Sequence, residues 1–82
     1  MKIDFDNPRV IRALERAPPQ VRKAFFKQIR LLATNLRHPS LRAKKYDEAR
    51  GIWQARVSDD WRFYFLIVKD TYVVLDLIPH PK

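Results

Sequence analysis

The chain of 82 residues contains no cysteine and a single glycine. Without cysteine it forms no disulfide bonds and no thiolate zinc site, and it has no thiol nucleophile. No run of about 18 apolar residues is present, so the sequence predicts no membrane-spanning helix. Residues 1–4 are too polar for a signal peptide, and we expect a cytoplasmic protein. No repeat or low-complexity stretch divides the chain, which predicts one domain over residues 1–82.

Acidic residues are scarce relative to basic ones. Nine Asp and Glu oppose 17 Lys and Arg, and the formal net charge is +8. An excess of this size on a small domain favours a polyanionic partner such as a nucleic acid. Two other interpretations stay open at this point, a solvated basic surface and a domain that docks on an acidic protein.

The first half of the chain predicts two helices. Asn7 can cap a helix and Pro8 suits the first helical position. Pro18 and Pro19 end this helix, because neither ring offers an N–H, and Pro19 can open the next one. Apolar residues of the second helix recur every three or four positions; they are Val21, Ala24, Phe25, Ile29, Leu32, Ala33 and Leu36. Two helices joined in this way should form a hairpin.

After Gly51 the apolar residues recur every second position, which is typical of strands. The pattern predicts strands over residues 52–58, 61–68 and 72–78, preceded by a charged connection over residues 41–51. Residues 2–6 are a candidate for a short edge strand. The predicted fold is α+β, with an N-terminal helical hairpin packed on one face of a small antiparallel sheet.

The register of the first β-hairpin follows from its aromatic residues. Burial of Trp53 and Phe63 under the helices requires odd residues to face odd residues, and hence an odd-length loop or a bulge near residues 59–60. The opposite face of the sheet, called the open face below, then collects polar side chains; they are Gln54, Arg56, Arg62, Tyr64, Tyr72, Asp76 and His80. Such a face suits phosphate binding beside an aromatic surface on which a base can stack. The alternative is an ordinary solvated face on which Arg56 pairs with Asp76 or Asp59.

The segments Glu48–Val57 (EARGIWQARV) and Trp61–Tyr64 (WRFY) carry a family resemblance. Together with the helical hairpin and the charged connection that precede them in the chain, these segments resemble the RelE/ParE superfamily of toxins from toxin–antitoxin pairs. The resemblance covers essentially the whole chain and is most specific in residues 41–80. It implies the α+β fold, an antitoxin as partner and, in the branch similar to YoeB, cleavage of ribosome-bound mRNA that represses translation.

The resemblance also implies roles for individual residues. By position, Glu48 is the general base, Arg62 the phosphate ligand and His80 the general acid, and Lys44, Lys45 and Arg56 match basic positions that line the RNA site. The chain departs from many family members in lacking an aromatic residue after His80; Trp61, Tyr64 or Tyr72 is a candidate to replace that residue, and Lys82 is a candidate for a further phosphate contact. Attack of a 2′-hydroxyl on the adjacent phosphate needs a proton acceptor, a proton donor and cations that stabilise the phosphorane. An imidazole can exchange protons near neutral pH, and a guanidinium matches phosphate oxygens. This chemistry requires no metal and no cofactor.

Two other functions stay open. One is a ParE-like toxin without nuclease activity that binds a protein target such as gyrase, and the other is a basic RNA-binding module with weakened catalysis. The pair Glu48 and His80 discriminates, because ParE-like members generally lack it. We expect His38, which precedes Pro39 in a turn, to be a helix C-terminal residue rather than a catalytic one. Trp53 and Trp61 are expected to occupy core positions.

Overall fold

The computed structural model describes residues 1–80. Their elements follow in the order β1 (Lys2–Asp4), α1 (Pro8–Arg16), α2 (Pro19–Thr34), one 3₁₀ turn (Pro39–Leu41), β2 (Lys44–Asp47), β3 (Ile52–Ser58), β4 (Trp61–Val68) and β5 (Thr71–Pro79). The strands form one sheet in the spatial order β1-β5-β4-β3-β2. The predicted α+β fold with an N-terminal helical hairpin is confirmed.

The helix boundaries lie where the capping residues and prolines predict them. The side chain of Asn7 accepts a hydrogen bond of 2.9 Å from the backbone N–H of Arg9 at the start of α1. Pro18 separates the two helices, and Pro19 is the first residue of α2. The second helix ends at Thr34, so Leu36 follows the helix but still packs against the core.

The core lies between the helices and the sheet. Helix α1 packs against β5 and α2 packs against β3. The rings of Phe25 on α2 and Phe63 on β4 meet edge to face with centroids 5.6 Å apart. The largest fully buried side chains are Phe25, Phe63, Phe65, Leu32, Leu41, Leu77, Val10 and Val74. Trp53 and Trp61 are half-buried and pack against this core, as predicted.

The sheet is mixed rather than wholly antiparallel. β1 is confirmed as an edge strand, but it runs parallel to β5, with Lys2 opposite Thr71. Part of the predicted charged connection is also a strand, since β2 pairs antiparallel with β3. Its residues are mostly exposed on both faces, so no apolar alternation marks it in the sequence. Gly51 closes the turn between β2 and β3 with a φ of +69°, a conformation that favours glycine.

The predicted register of β3 and β4 is confirmed. Trp53 lies opposite Phe65, and Ala55 lies opposite Phe63. The pairing shifts between Arg56 and Ser58, which is the bulge that this register requires.

A second bulge changes β5. Phe65 pairs with Val74 whereas Tyr64 pairs with Asp76, so Leu75 has no opposite residue. The first half of β5 therefore has its faces reversed, and the prediction that Tyr72 lies on the open face is wrong. Tyr72 is buried, and its ring meets that of Phe65 edge to face at 5.6 Å.

Candidate nucleic-acid interface

Two transverse rows of side chains cross the open face. In the first row, Lys44 lies opposite Gln54, Gln54 opposite Tyr64, and Tyr64 opposite Asp76. Arg9 of α1 extends this row, because its Nη1 lies 3.6 Å from Oδ2 of Asp76. The row thus begins and ends with a cation.

The second row lies two residues further along β3. Arg56 faces Arg62, and Arg62 faces Ile78. The backbone N–H of His80 donates a hydrogen bond of 2.6 Å to the carbonyl oxygen of Asp60, which continues the ladder beyond β5. His80 is therefore a diagonal neighbour of Arg62, at a backbone separation of about 7–8 Å. We call Arg56, Arg62 and His80 the turn-end cluster, because they lie beside the turn between β3 and β4.

The two arginines of the turn-end cluster are held differently. Nη1 of Arg62 donates to the carbonyl oxygens of Ser58 at 2.6 Å and Trp61 at 3.0 Å. Nη2 of Arg56 forms an ion pair with Asp59, one of the two carboxylates that the sequence suggested as its partners. The side chain of Asp59 is 78% exposed, and an ion pair of this kind contributes about 0–1 kcal/mol. A phosphate group can therefore compete with Asp59 for Arg56.

Glu48 does not join the turn-end cluster. It is exposed in the turn between β2 and β3, at the other end of β3. Arg56 lies four residues after Ile52, the first residue of β3, which is about 13 Å along the strand. Glu48 lines a shallow hollow with Lys45 and Trp53, away from the open face. The backbone register thus places Arg62 and His80 at diagonal positions of neighbouring strands and places Glu48 at the other end of β3. Nor does Glu48 form an ion pair within residues 1–80, where Asp47 instead binds Arg50 at 2.9 Å.

The two lysines of β2 lie on opposite faces of the sheet. Lys44 belongs to the open face through its pairing with Gln54. Lys45 faces Trp53, and its Nζ lies 6.0 Å from the centroid of the indole ring, within reach of a weak cation–π contact. Only Lys44 can act together with the open face. Lys82 lies outside the described residues.

Tyr46 is a residue of the open face that the sequence alone did not reveal. It is 61% exposed, and its ring centroid lies 4.8 Å from that of Tyr64 at an interplanar angle of 67°. The hydroxyl of Tyr64 accepts a hydrogen bond of 2.8 Å from Nε2 of Gln54. Because the residues of β2 are mostly exposed, no alternation in the sequence indicated this strand or this tyrosine. The two rings supply the aromatic surface that was expected from Tyr64 and Tyr72.

A cavity of about 520 Å³ opens beside these rings. It extends from the first turn of α1 to the turn between β2 and β3, and it contains both charged and aromatic groups. Its walls include Arg9, Tyr46, Arg50, Tyr64, Asp76 and Ile78.

A basic groove of about 420 Å³ runs along the edge of β3 that β2 does not cover. Lys27, Arg42 and Arg56 line it. At its base Gln28 donates to the carbonyl oxygens of Arg56 at 2.8 Å and Ser40 at 3.1 Å. Because Arg56 belongs both to this groove and to the turn-end cluster, the positive surface continues around the edge of the sheet.

His38 is not the helix C-terminal residue that the sequence predicted, because α2 ends at Thr34 and His38 begins the 3₁₀ turn. Its Nδ1 accepts a hydrogen bond of 3.1 Å from the backbone N–H of Ser40 and so caps the 3₁₀ turn. Within residues 1–80 no group of three or more His, Asp and Glu side chains could hold a metal ion. Among the same residues, no helix has the length and apolar character needed to cross a membrane.

The fold is that of a known toxin. The structure is similar to the YoeB/ParE toxin from Agrobacterium tumefaciens, with a TM-score of 0.79 and 15% sequence identity, over 99% of this chain and 100% of that one. No protein-family model matches the sequence, and no curated protein matches it. The likeness in structure at low identity establishes the architecture. The chain therefore has the fold of the YoeB/ParE toxin, as its resemblance to the RelE/ParE superfamily implied.

Proposed function

We propose that the protein is the toxin of a toxin–antitoxin pair and that it is an endoribonuclease which cuts mRNA on the ribosome and so represses translation. The observation that carries this proposal is the turn-end cluster, in which Arg56 and Arg62 lie opposite each other with His80 as the diagonal neighbour of Arg62. The fold shared with a YoeB/ParE toxin supports the biological setting.

The cluster suits transesterification of RNA. The 2′-oxygen of one nucleotide forms a bond to the adjacent phosphorus, and the bond from phosphorus to the 5′-oxygen breaks. Arg56 and Arg62 bind the phosphate and stabilise the charge of the phosphorane. His80 gives a proton to the leaving 5′-oxygen. The products are a 2′,3′-cyclic phosphate and a 5′-hydroxyl. The proton of the 2′-hydroxyl passes to solvent water, and we assign no residue as general base, because Glu48 lies beyond the start of β3, about 13 Å or more along the strand from Arg56.

The charge of the molecule suits the partners that this function requires. Ribosome and mRNA are polyanions, and the chain carries a net charge of +8. An antitoxin with an acidic or amphipathic segment would neutralise the open face by covering it. Both targets place the activity in the cytoplasm.

A second candidate function is supported by the position of Glu48. If the turn-end cluster does not cut RNA, the same fold can act as a toxin that binds a protein target such as gyrase. The separation of Glu48 from His80 favours this candidate, because a nuclease benefits from a base that a binding protein does not need.

Expression of the toxin in growing cells separates the two functions. We expect the wild type to arrest growth and to leave cuts in mapped transcripts, and we expect His80→Ala to lose both effects. His38→Ala is the matched control, since His38 is the only other histidine and lies beside the 3₁₀ turn. Growth arrest by His80→Ala without transcript cuts would overturn the nuclease proposal and support a protein target.

A further inference from the structure

We propose that the cavity beside Tyr46 and Tyr64 binds a guanine base of the RNA and that Asp76 selects it. This inference rests on the proposed function, because it names the base that lies next to the phosphate bound by the turn-end cluster. The cavity would thus give the nuclease a base preference.

The aromatic rings provide a stacking surface. Tyr46 is 61% exposed on β2, and its edge-to-face contact with Tyr64 fixes one ring against the other. Tyr64 is held in turn by the hydrogen bond from Gln54. A ring that is both exposed and held in place can stack on an unpaired base with little loss of conformational freedom.

Asp76 lines the same cavity as the cross-strand neighbour of Tyr64, and it supplies hydrogen-bond acceptors. Its side chain is 26% exposed. Oδ1 accepts a hydrogen bond of 2.9 Å from the backbone N–H of Leu77, and Oδ2 lies 3.6 Å from Nη1 of Arg9. Each carboxylate oxygen accepts about two hydrogen bonds, so both retain capacity for a ligand. The ion pair with Arg9 is long, and the Arg9 side chain is 70% exposed. A ligand can therefore displace Arg9 from Asp76 with a small loss of free energy.

The geometry of a carboxylate matches guanine among the four bases. The Watson–Crick edge of guanine presents two adjacent donors, N1–H and the 2-amino group, to two carboxylate oxygens. Adenine and cytosine each place an acceptor beside their amino donor, and uracil places its single donor between two acceptors. Only guanine therefore forms two parallel hydrogen bonds with Asp76.

The distance between cavity and cluster suits one nucleotide. Tyr64 and Asp76 lie one row from Arg62 and Ile78, which is two residues or about 7 Å along the strands. A base in the cavity can therefore belong to the nucleotide whose phosphate meets Arg62. Arg9 and Arg50 also line the cavity and can contact the next phosphate.

Binding of short RNAs tests this inference. The probes are uridine pentanucleotides in which the central nucleotide is guanosine, inosine, adenosine, cytidine or uridine. The central nucleotide carries a 2′-O-methyl group, which blocks cleavage. Fluorescence anisotropy gives the Kd of each RNA for the full-length protein. We expect the guanosine RNA to bind about tenfold more tightly than the others. Inosine is the informative comparison, since it lacks only the 2-amino group.

Two variants connect the preference to the cavity. Asp76→Asn should bring the ratio of the guanosine and inosine Kd values close to one while the Kd for uridine stays within about twofold. Tyr46→Leu should weaken binding of all five RNAs by about tenfold and keep their order. Thermal melts of both variants establish that they are folded.

The outcomes separate this inference from the proposed function. Equal binding of the five RNAs by the wild type, or a guanosine preference that survives Asp76→Asn, overturns the base preference and leaves the nuclease proposal intact. Failure of the wild type to bind any of the RNAs also overturns the base preference, whereas the nuclease proposal is decided separately by the transcript cuts of the wild type and His80→Ala.

Discussion

At the scale of single residues, Gln28 connects three parts of the fold. It is only 4% exposed on α2, and its amide bonds to the backbone of β3 and of the 3₁₀ turn and to the hydroxyl of Ser40. Because Gln28 is polar, the apolar stripe of α2 does not include it. Its spacing of three residues from Phe25 and four from Leu32 nevertheless places it on the buried face.

Replacement of Gln28 by leucine tests this role. The carbonyl oxygens of Arg56 and Ser40 would lose their donor in a buried position, so Gln28→Leu should lower the free energy of unfolding by about 1–3 kcal/mol. Gln20→Leu is the control, because Gln20 is exposed on the same helix, and should change it by less than about 0.5 kcal/mol. Urea unfolding measures both, and an unchanged stability of Gln28→Leu would show that these bonds contribute little.

At the scale of elements, the sequence predicts those whose residues constrain one face or one end. The prolines and Asn7 define the helix boundaries, and burial of Trp53 and Phe63 requires the bulge near Arg56. The bulge at Leu75 could not be predicted. Residues 72–75 are apolar on both faces of β5, so either register buries apolar side chains. The sequence pattern therefore does not distinguish the two registers. β2 could not be predicted for the opposite reason. Its residues are mostly exposed, so no alternation of apolar and polar side chains marks it as a strand.

The reversed faces of β5 have a measurable consequence. Tyr72 is 5% exposed beneath the helices, so Tyr72→Ala should lower the free energy of unfolding by about 3 kcal/mol or more. The matched control is Tyr46→Ala, where the ring is 61% exposed and the loss should stay below about 1 kcal/mol. Similar small losses in thermal or urea unfolding would restore the register in which Tyr72 lies on the open face.

At the scale of the whole molecule, the candidate site is predictable from the sequence in part. Strand parity alone places Arg56, Arg62 and Tyr64 on one face, and His80 with them. The role of Glu48 comes from the resemblance alone. Its distance from His80 could not be foreseen, because nothing in the pattern of residues 41–51 indicates that β2 pairs with β3. Tyr46 and Arg9 join the site through elements far apart in sequence.

The continuous positive surface predicts a steep dependence of RNA binding on salt. Each phosphate contact releases counterions, so log K should fall linearly with log salt concentration. Arg56→Gln should reduce this slope by about one unit, because Arg56 lies in both the turn-end cluster and the basic groove. Lys23→Gln, on the exposed side of α2, is the control and should leave the slope unchanged. Equal slopes for Arg56→Gln and wild type would place RNA elsewhere.

The central claim is that RNA is cut at the turn-end cluster without help from Glu48. It is tested most directly by the single-turnover rate constant for cleavage of ribosome-bound mRNA in two variants. We predict that Glu48→Ala stays within about twofold of the wild type and that His80→Ala slows cleavage by about 10²–10⁴-fold, the usual contribution of a proton-transfer group. Loss of cleavage in Glu48→Ala with a normal rate in His80→Ala would contradict the claim.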